Sequence, residues 1–293
     1  MSDYCEKKGT IVKGIGGSYY VECEDALYDC KARGKFRKNA LTPTVGDEAV
    51  LLVTDEKKKK AVIESIEERK NILLRPRVSN IDTAIITFAA KSPDINFDLL
   101  DRFLIDGIKR NIPEVFICIN KCDIGEKSLR EKIAKIYKNV CKVFFVSTYT
   151  DEGIEDLKKA IKGKKVVFAG PSGVGKSSII NKIAPHLQRQ TGEISKKIER
   201  GKHTTRQVEL IYLGDDTFVA DSPGFTSFSL EGMGEKELEK YFPEFKEFLG
   251  KCYFGDCLHL SEPGCEVKEN VGGIISEERY ERYKKICEEL RQR

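Results

Sequence analysis

The chain has 293 residues, 40% of them hydrophobic, with 51 Lys and Arg against 47 Asp and Glu, a net charge of +4. That length holds more than one domain. No apolar run reaches the roughly 18 residues of a spanning helix, and the opening M-S-D-Y-C-E-K-K lacks a signal-peptide core, so a cytoplasmic protein is expected. The charge is too small to name a partner by itself. Nothing points to an oxidising compartment for the ten cysteines. Seven of them (5, 23, 30, 118, 122, 141 and 287) show no ligand spacing and read as small thiols, some of them buried.

Residues 10–15, 19–23, 26–32, 48–54 and 61–66 are short β-type runs broken by glycine and charge. Five such strands in so few residues predict a small closed barrel of the OB-fold kind. Within it, K-A-R-G-K-F-R-K sets Lys31, Arg33, Lys35, Arg37 and Lys38 around Phe36 with no acid among them. Barrel loops of this kind bind oligonucleotides through phosphate contacts and aromatic stacking. On charge alone, a solvated basic loop explains the stretch equally well. The run of four lysines at 57–60 reads as a hairpin tip.

The pattern changes around Arg75-Pro76. Strand-like runs at 83–88, 114–120, 142–147 and 165–170 alternate with helical spacing, as in Leu99, Leu100, Phe103, Leu104 and Ile108, and in Ile133, Ile136 and Tyr137. Alternating units with nearly continuous apolar strands predict a parallel sheet covered on both faces. Two further strands are expected at 207–213 and 217–221. After Gly224 the chain turns to aromatics, cysteines and a last helix, 276–293, that is more charged than apolar and is expected on a surface. Three domains are expected: a barrel over 1–72, an α/β domain over 73–230 and a metal-binding domain over 231–293.

Gly170, Pro171, Ser172, Gly173, Val174, Gly175, Lys176, Ser177 and Ser178 form a P-loop without mismatch, after an apolar strand and before a helical stretch. Its glycines let backbone N–H groups wrap phosphates, Lys176 neutralises β/γ-phosphate charge, and the Ser177 hydroxyl meets Mg²⁺. The P-loop alone does not choose the base. Asn120, Lys121, Cys122 and Asp123 stand at the carboxyl end of a strand, where open α/β sheets bind ligands. There Asp123 can accept from guanine N1–H and the 2-amino group, which adenine cannot supply. Ser147 and Thr148 follow the next strand and form a second base loop. Asp221 and Gly224 bound D-S-P-G, the link between Mg²⁺ and the γ-phosphate, and Thr204 or Thr205 in G-K-H-T-T closes on Mg²⁺ as a first switch. Many GTPases place glutamine directly after D-x-x-G to orient the attacking water. Here Phe225 stands there, so the free enzyme is expected to be slow, with His203 the best candidate to position the water.

Cys252, Cys257, His259 and Cys265 give C-x4-C-x-H-x5-C, a ligand set for one closed, structural Zn²⁺ in a loop-rich segment.

The base reader precedes the phosphate loop, the reverse of the usual order, and a circular permutation produces this without altering a sheet. On N-K-C-D, G-P-S-G-V-G-K-S-S, T-G-E-I-S (191–195), G-K-H-T-T and D-S-P-G-F, across nearly the whole chain, the sequence resembles the family of ribosome small-subunit-dependent GTPase A, circularly permuted ribosome-biogenesis GTPases. Departures are slight: Lys202 for arginine, Ser222 for threonine and Thr148 for alanine. The resemblance implies a subunit-stimulated GTPase that binds the 30S particle and its 16S rRNA in late maturation, with Mg²⁺ beside GTP and one Zn²⁺ per chain. A monomer is expected. The alternatives are a nucleotide-gated RNA-binding scaffold with negligible turnover and a metabolic NTPase with another partner.

Overall fold

The computed structural model describes residues 5–34, 36, 42–74, 77–184, 208–221, 230 and 232–292. Strands β1 (Glu6–Ile15), β2 (Ser18–Glu22), β3 (Leu27–Ala32), β4 (Glu48–Asp55) and β5 (Lys60–Ile66) close a barrel in the order β1-β2-β3-β5-β4. All its pairings are antiparallel except β3 with β5. Alternate residues of these strands, among them Ile11, Val21, Tyr28, Leu51 and Ile63, point inward as the period of two requires. The lysine run forms the β4–β5 turn, as expected. Phe36 corrects the sequence reading: it is buried in the barrel core, so its ring fills the interior and is not offered to a base.

A short hairpin of β6 (Ile72–Leu74) and β7 (Arg77–Ser79), not foreseen from the sequence, leads into a six-stranded sheet. That sheet comprises β8 (Thr83–Ala89), β9 (Glu114–Asn120), β10 (Val143–Phe145), β11 (Lys165–Ala169), β12 (Glu209–Tyr212) and β13 (Phe218–Asp221), in the order β10-β9-β8-β11-β13-β12. Five strands run parallel, and only edge strand β12 is antiparallel. Successive residues feed opposite faces. Ile86, Ile117 and Val167 pack with α1 (Phe97–Lys109) and α2 (Lys127–Tyr137), whereas Ile85, Cys118 and Val166 pack with α3 (Ile154–Ile161) and α4 (Lys176–Ile183). Apolar residues on both faces account for the near-continuous apolar runs.

The barrel meets the β6–β7 hairpin, which leads into the sheet, through Asp47. This buried carboxylate accepts from Arg69 Nε at 2.7 Å and from Ser79 Oγ at 2.6 Å. Gly46 makes the approach possible, since at φ +95° an added Cβ would stand 2.1 Å from the Ser79 carbonyl oxygen. Lys13 on β1 pairs with Glu209 on β12 at 2.7 Å, and Lys165 pairs with Glu48.

The C-terminal part has its own core, gathered from 3-10 helices Glu235–Tyr241 and Pro243–Phe245, α5 (Glu266–Glu269) and α6 (Glu277–Arg291). The expected surface position of α6 holds for one face only. Arg279, Tyr280, Tyr283, Ile286, Cys287 and Leu290 are buried. Arg279 donates to Asp101 of α1 at 2.6 Å and to Glu244 at 2.5 Å, and Tyr137 and Arg282 also donate to Asp101. Burial opposes the Arg279 charge, but Asp101 and Glu244 outweigh it and raise its pKa above the ordinary arginine value. The helix packs through an apolar stripe of Tyr280, Tyr283, Ile286, Cys287 and Leu290, and its one buried charge is paired. No helix among the described residues is long and apolar enough to cross a membrane.

Although Arg282 still pairs with Asp101, Arg279→Ala removes the guanidinium that the buried carboxylates of Asp101 and Glu244 share. It is expected to cost about 3–5 kcal/mol of stability, read from urea unfolding. Lys285→Ala, which loses only the exposed pair with Asp98, should stay within about 0.5 kcal/mol. Equal losses in the two variants would put the cluster on a par with a surface ion pair.

Candidate active site and metal centre

Strands β8, β9 and β11 are neighbours, so their carboxyl ends bring N-K-C-D and the P-loop together although about fifty residues separate them in the chain. Asn120, buried at the end of β9, donates through Nδ2 to the Val174 carbonyl at 3.0 Å. Its Oδ1 lies 3.4 Å from the Thr148 N–H. Lys121 takes the left-handed conformation at φ +61° and sends its ammonium to the Gly173 carbonyl at 2.9 Å and to that of Ser92. Cys122 turns inward, its thiol donating to the Ile119 carbonyl at 3.1 Å, and burial pushes its pKa up to about 11. The side chain of Asp123 accepts from Ser147 Oγ at 2.6 Å.

The buried Ser147 hydroxyl, in the expected second base loop, orients Asp123 and accepts from the backbone N–H of Tyr149 at 3.2 Å and Thr150 at 3.1 Å.

Two P-loop glycines stand where a side chain cannot. A Cβ on Gly170 would lie 2.1 Å from the Thr87 carbonyl oxygen, and one on Gly175 would lie 2.3 Å from Asn120 Nδ2. Val174 is fully buried and anchors the loop, while Ser172, Ser177 and Ser178 are exposed. Gly175 caps α4, so the free N–H groups of its first turn open into the loop, a ready site for phosphate. Lys176 donates to the carbonyls of Gly170 at 2.8 Å and Pro171 at 2.7 Å, and burial lowers its pKa. A phosphate group would raise that pKa again and draw the ammonium from the carbonyls.

Asp221 ends β13, with only its backbone described; Lys35, Arg37, Lys38, 191–195, His203, Thr204, Thr205, Ser222, Gly224 and Phe225 lie outside the described residues. Of the remaining basic-loop residues, Lys31 donates to Ser18 at 3.0 Å and Arg33 pairs with Glu64 at 2.6 Å.

Cys252, Cys257, His259 and Cys265 converge, their ligand atoms all within 4.8 Å of one another. His259 Nδ1 lies 3.6 Å from Cys252 Sγ and 3.4 Å from Cys265 Sγ, and the two sulfurs are 3.9 Å apart. These match the edges, about 3.5–3.8 Å, of a tetrahedron with metal bonds of zinc length, so the cluster can hold a metal ion. Burial pushes the Cys257 thiol up to about 12, so a thiolate there calls for a cation at the centre.

His259 Nε2 meets Glu239 Oε2 at 2.8 Å, which fixes Nδ1 as the inward atom. Glu239 lies 20 residues from His259 on a 3-10 helix, and no local spacing could have revealed it.

Residues 66–231 match the model of the RsgA GTPase family, and residues 8–63 match the RsgA N-terminal domain. The chain belongs to the RsgA GTPase family. A relative from Alkaliphilus metalliredigens, named small ribosomal subunit biogenesis GTPase RsgA, is 45% identical over 286 residues, covering 97% of this chain and 98% of the relative. One of the same name from Caldanaerobacter subterraneus is 44% identical over 288 residues, covering 98% and 96%. The crystal structure of YjeQ from Thermotoga maritima superposes with a TM-score of 0.85 at 35% identity, covering 99% of this chain and all of that one. That of YloQ, described as a circularly permuted GTPase, gives 0.83 at 35% identity, covering 100% and 98%. The expected architecture stands: an OB-like barrel, a circularly permuted GTPase fold and a C-terminal Cys/His cluster.

Metal analysis of the purified RsgA-family chain should find about one ion per chain, and Cys257→Ser should lower that occupancy and loosen the C-terminal core. Full occupancy in the variant would remove Cys257 from the ligand set.

Proposed function

We propose that this chain hydrolyses GTP to GDP and phosphate on the small (30S) ribosomal subunit, binding its 16S rRNA and assisting late maturation of the particle in the cytoplasm. The grip of Asn120 and Lys121 on the P-loop backbone carries this reading, because it makes a guanine reader and a phosphate cradle one site. The names of relatives 45% identical along nearly their full length support the ribosomal half of it.

In this reading Asp123, aimed by Ser147, accepts from guanine N1–H and the 2-amino group, and Asn120, Lys121, Cys122 and Thr148 shape its loop. The backbone from Gly170 to Gly175 and the first turn of α4, Lys176 to Ser178, surround the phosphates. Ser177, with Thr204 or Thr205, meets Mg²⁺, and the stretch from Asp221 to Gly224 follows the γ-phosphate. The chain divides at 1–72, 73–230 and 231–293 and acts as a monomer. The three thiolates and one imidazole favour Zn²⁺ as the metal, in a closed structural site. Lys31, Arg33, Lys35, Arg37 and Lys38 contact rRNA phosphates, with Arg33 leaving Glu64 to do so.

Asp123→Asn removes the acceptor for N1–H. It should lower GTP affinity by one to two orders of magnitude, as a buried donor left unpaired costs about 1–3 kcal/mol, and improve xanthosine triphosphate binding. Affinities measured for both nucleotides check this, and unchanged GTP binding would take N-K-C-D out of base reading.

Phe225 has no donor or acceptor for the attacking water, so in this reading His203 positions it once rRNA orders the first switch. His203→Ala should keep GTP affinity and subunit binding while losing most of the subunit-stimulated phosphate release. Stimulation that survives in the variant would hand the water to the ribosome or to a backbone group.

A further inference from the structure

Asp123 recognises the edge of a base, and edge recognition leaves both flat faces of that base to be covered. Around it the structure presents two large apolar side chains to water: Ile124, 51% exposed, directly after Asp123, and Tyr149, 85% exposed, in the loop after β10. The tyrosine has little freedom at its backbone. Ser147 Oγ donates to Asp123 at 2.6 Å and accepts from the Tyr149 N–H at 3.2 Å, so one buried hydroxyl links the base-reading carboxylate to the residue that carries the ring. The following residue, Thr150, donates to the same oxygen, and Asp151, in the left-handed region at φ +63°, pairs with Lys182 of α4 at 2.6 Å. The loop is therefore tied to the base reader at one end and to the P-loop helix at the other. A fixed backbone that holds a ring out in solvent beside a recognition carboxylate favours a planar ligand over a structural role.

The Lys121 ammonium is held on the Gly173 and Ser92 carbonyls, which fixes its methylene stem within the same loop cluster.

We propose that Tyr149 covers one face of the bound guanine, its ring stacking on the purine while Asp123 reads the edge. This rests on the reading of N-K-C-D as the base reader and adds to it a residue that sets affinity without setting base choice, since every purine offers the same π-face.

The test uses the full-length protein with GDP, GTP and xanthosine diphosphate as probes. Tyr149→Ala should weaken GDP and GTP alike by roughly tenfold, the usual loss of a base–aromatic stack, with the ratio of guanine to xanthine affinity unchanged. Tyr149→Phe should bind as the unaltered chain does. The chain has no tryptophan, so Tyr149→Trp introduces a single indole whose emission should change on titration with GDP and return when the nucleotide is removed.

Asp123→Asn is measured beside them. GDP affinity within twofold of normal in Tyr149→Ala, together with a silent indole, would overturn the stacking role if Asp123→Asn has lost GDP. If Asp123→Asn also binds GDP normally, the reading beneath it fails instead. A loss in Tyr149→Ala that Tyr149→Phe shares would assign the effect to the phenol hydroxyl and also overturn stacking.

Discussion

Two side chains at the end of β9, Asn120 and Lys121, reach across to carbonyls of the loop after β11, and the order of the chain ceases to matter there. The intervening strand β8 brings its own carbonyl, that of Thr87, up against Gly170. What fixes base reader and phosphate cradle relative to one another is thus adjacency in a parallel sheet, plus two hydrogen bonds to backbone. A sheet built this way can be cut and rejoined at its loops while its carboxyl edge stays intact. Gly170 and Gly175 are part of the same constraint, because any side chain at either would push the loop from the groups that hold it.

The two flanking bodies are attached by a different device. A buried acid is shared among several donors: Asp47 between the barrel and the β6–β7 hairpin, Asp101 between α1 and the C-terminal core. Each carboxylate is satisfied only when elements from distant parts of the chain are in place. Such contacts add orientation more than net stability, since removing charges from water offsets much of what their pairing returns. The Lys13–Glu209 pair, by contrast, is exposed and contributes little beyond orientation at the edge of β12.

Much of this was legible in the sequence where periodicity or fixed spacing carries the information. The barrel strands alternate, the sheet strands are apolar on both faces, and the P-loop, N-K-C-D and the Cys/His spacing each satisfy a local geometric demand. What stayed hidden depends on partners far along the chain. Phe36 sits among basic residues and looks like a surface ring, yet the barrel interior takes it. The last helix has a charged composition, yet Arg279 is buried because Asp101 and Glu244 await it. Glu239 behind His259 and the turn of Ser147 toward Asp123 likewise follow from tertiary contacts that no window of sequence contains.

The shared carboxylate of Asp101 has a consequence for the order of events during synthesis. Its arginine partners, Arg279 and Arg282, lie 178 and 181 residues downstream, so the GTPase sheet and α1 emerge and begin to pack well before either guanidinium exists. Until then Asp101 has Tyr137 as a neutral donor but no cation, and α1 carries a charge that disfavours its burial. The contact between α1 and the C-terminal core is therefore complete only once α6 is present. A chain interrupted before α6 would leave α1 poorly seated, a state open to chaperones and proteases, so the completeness of the C-terminal part is registered in the packing of the nucleotide-binding part.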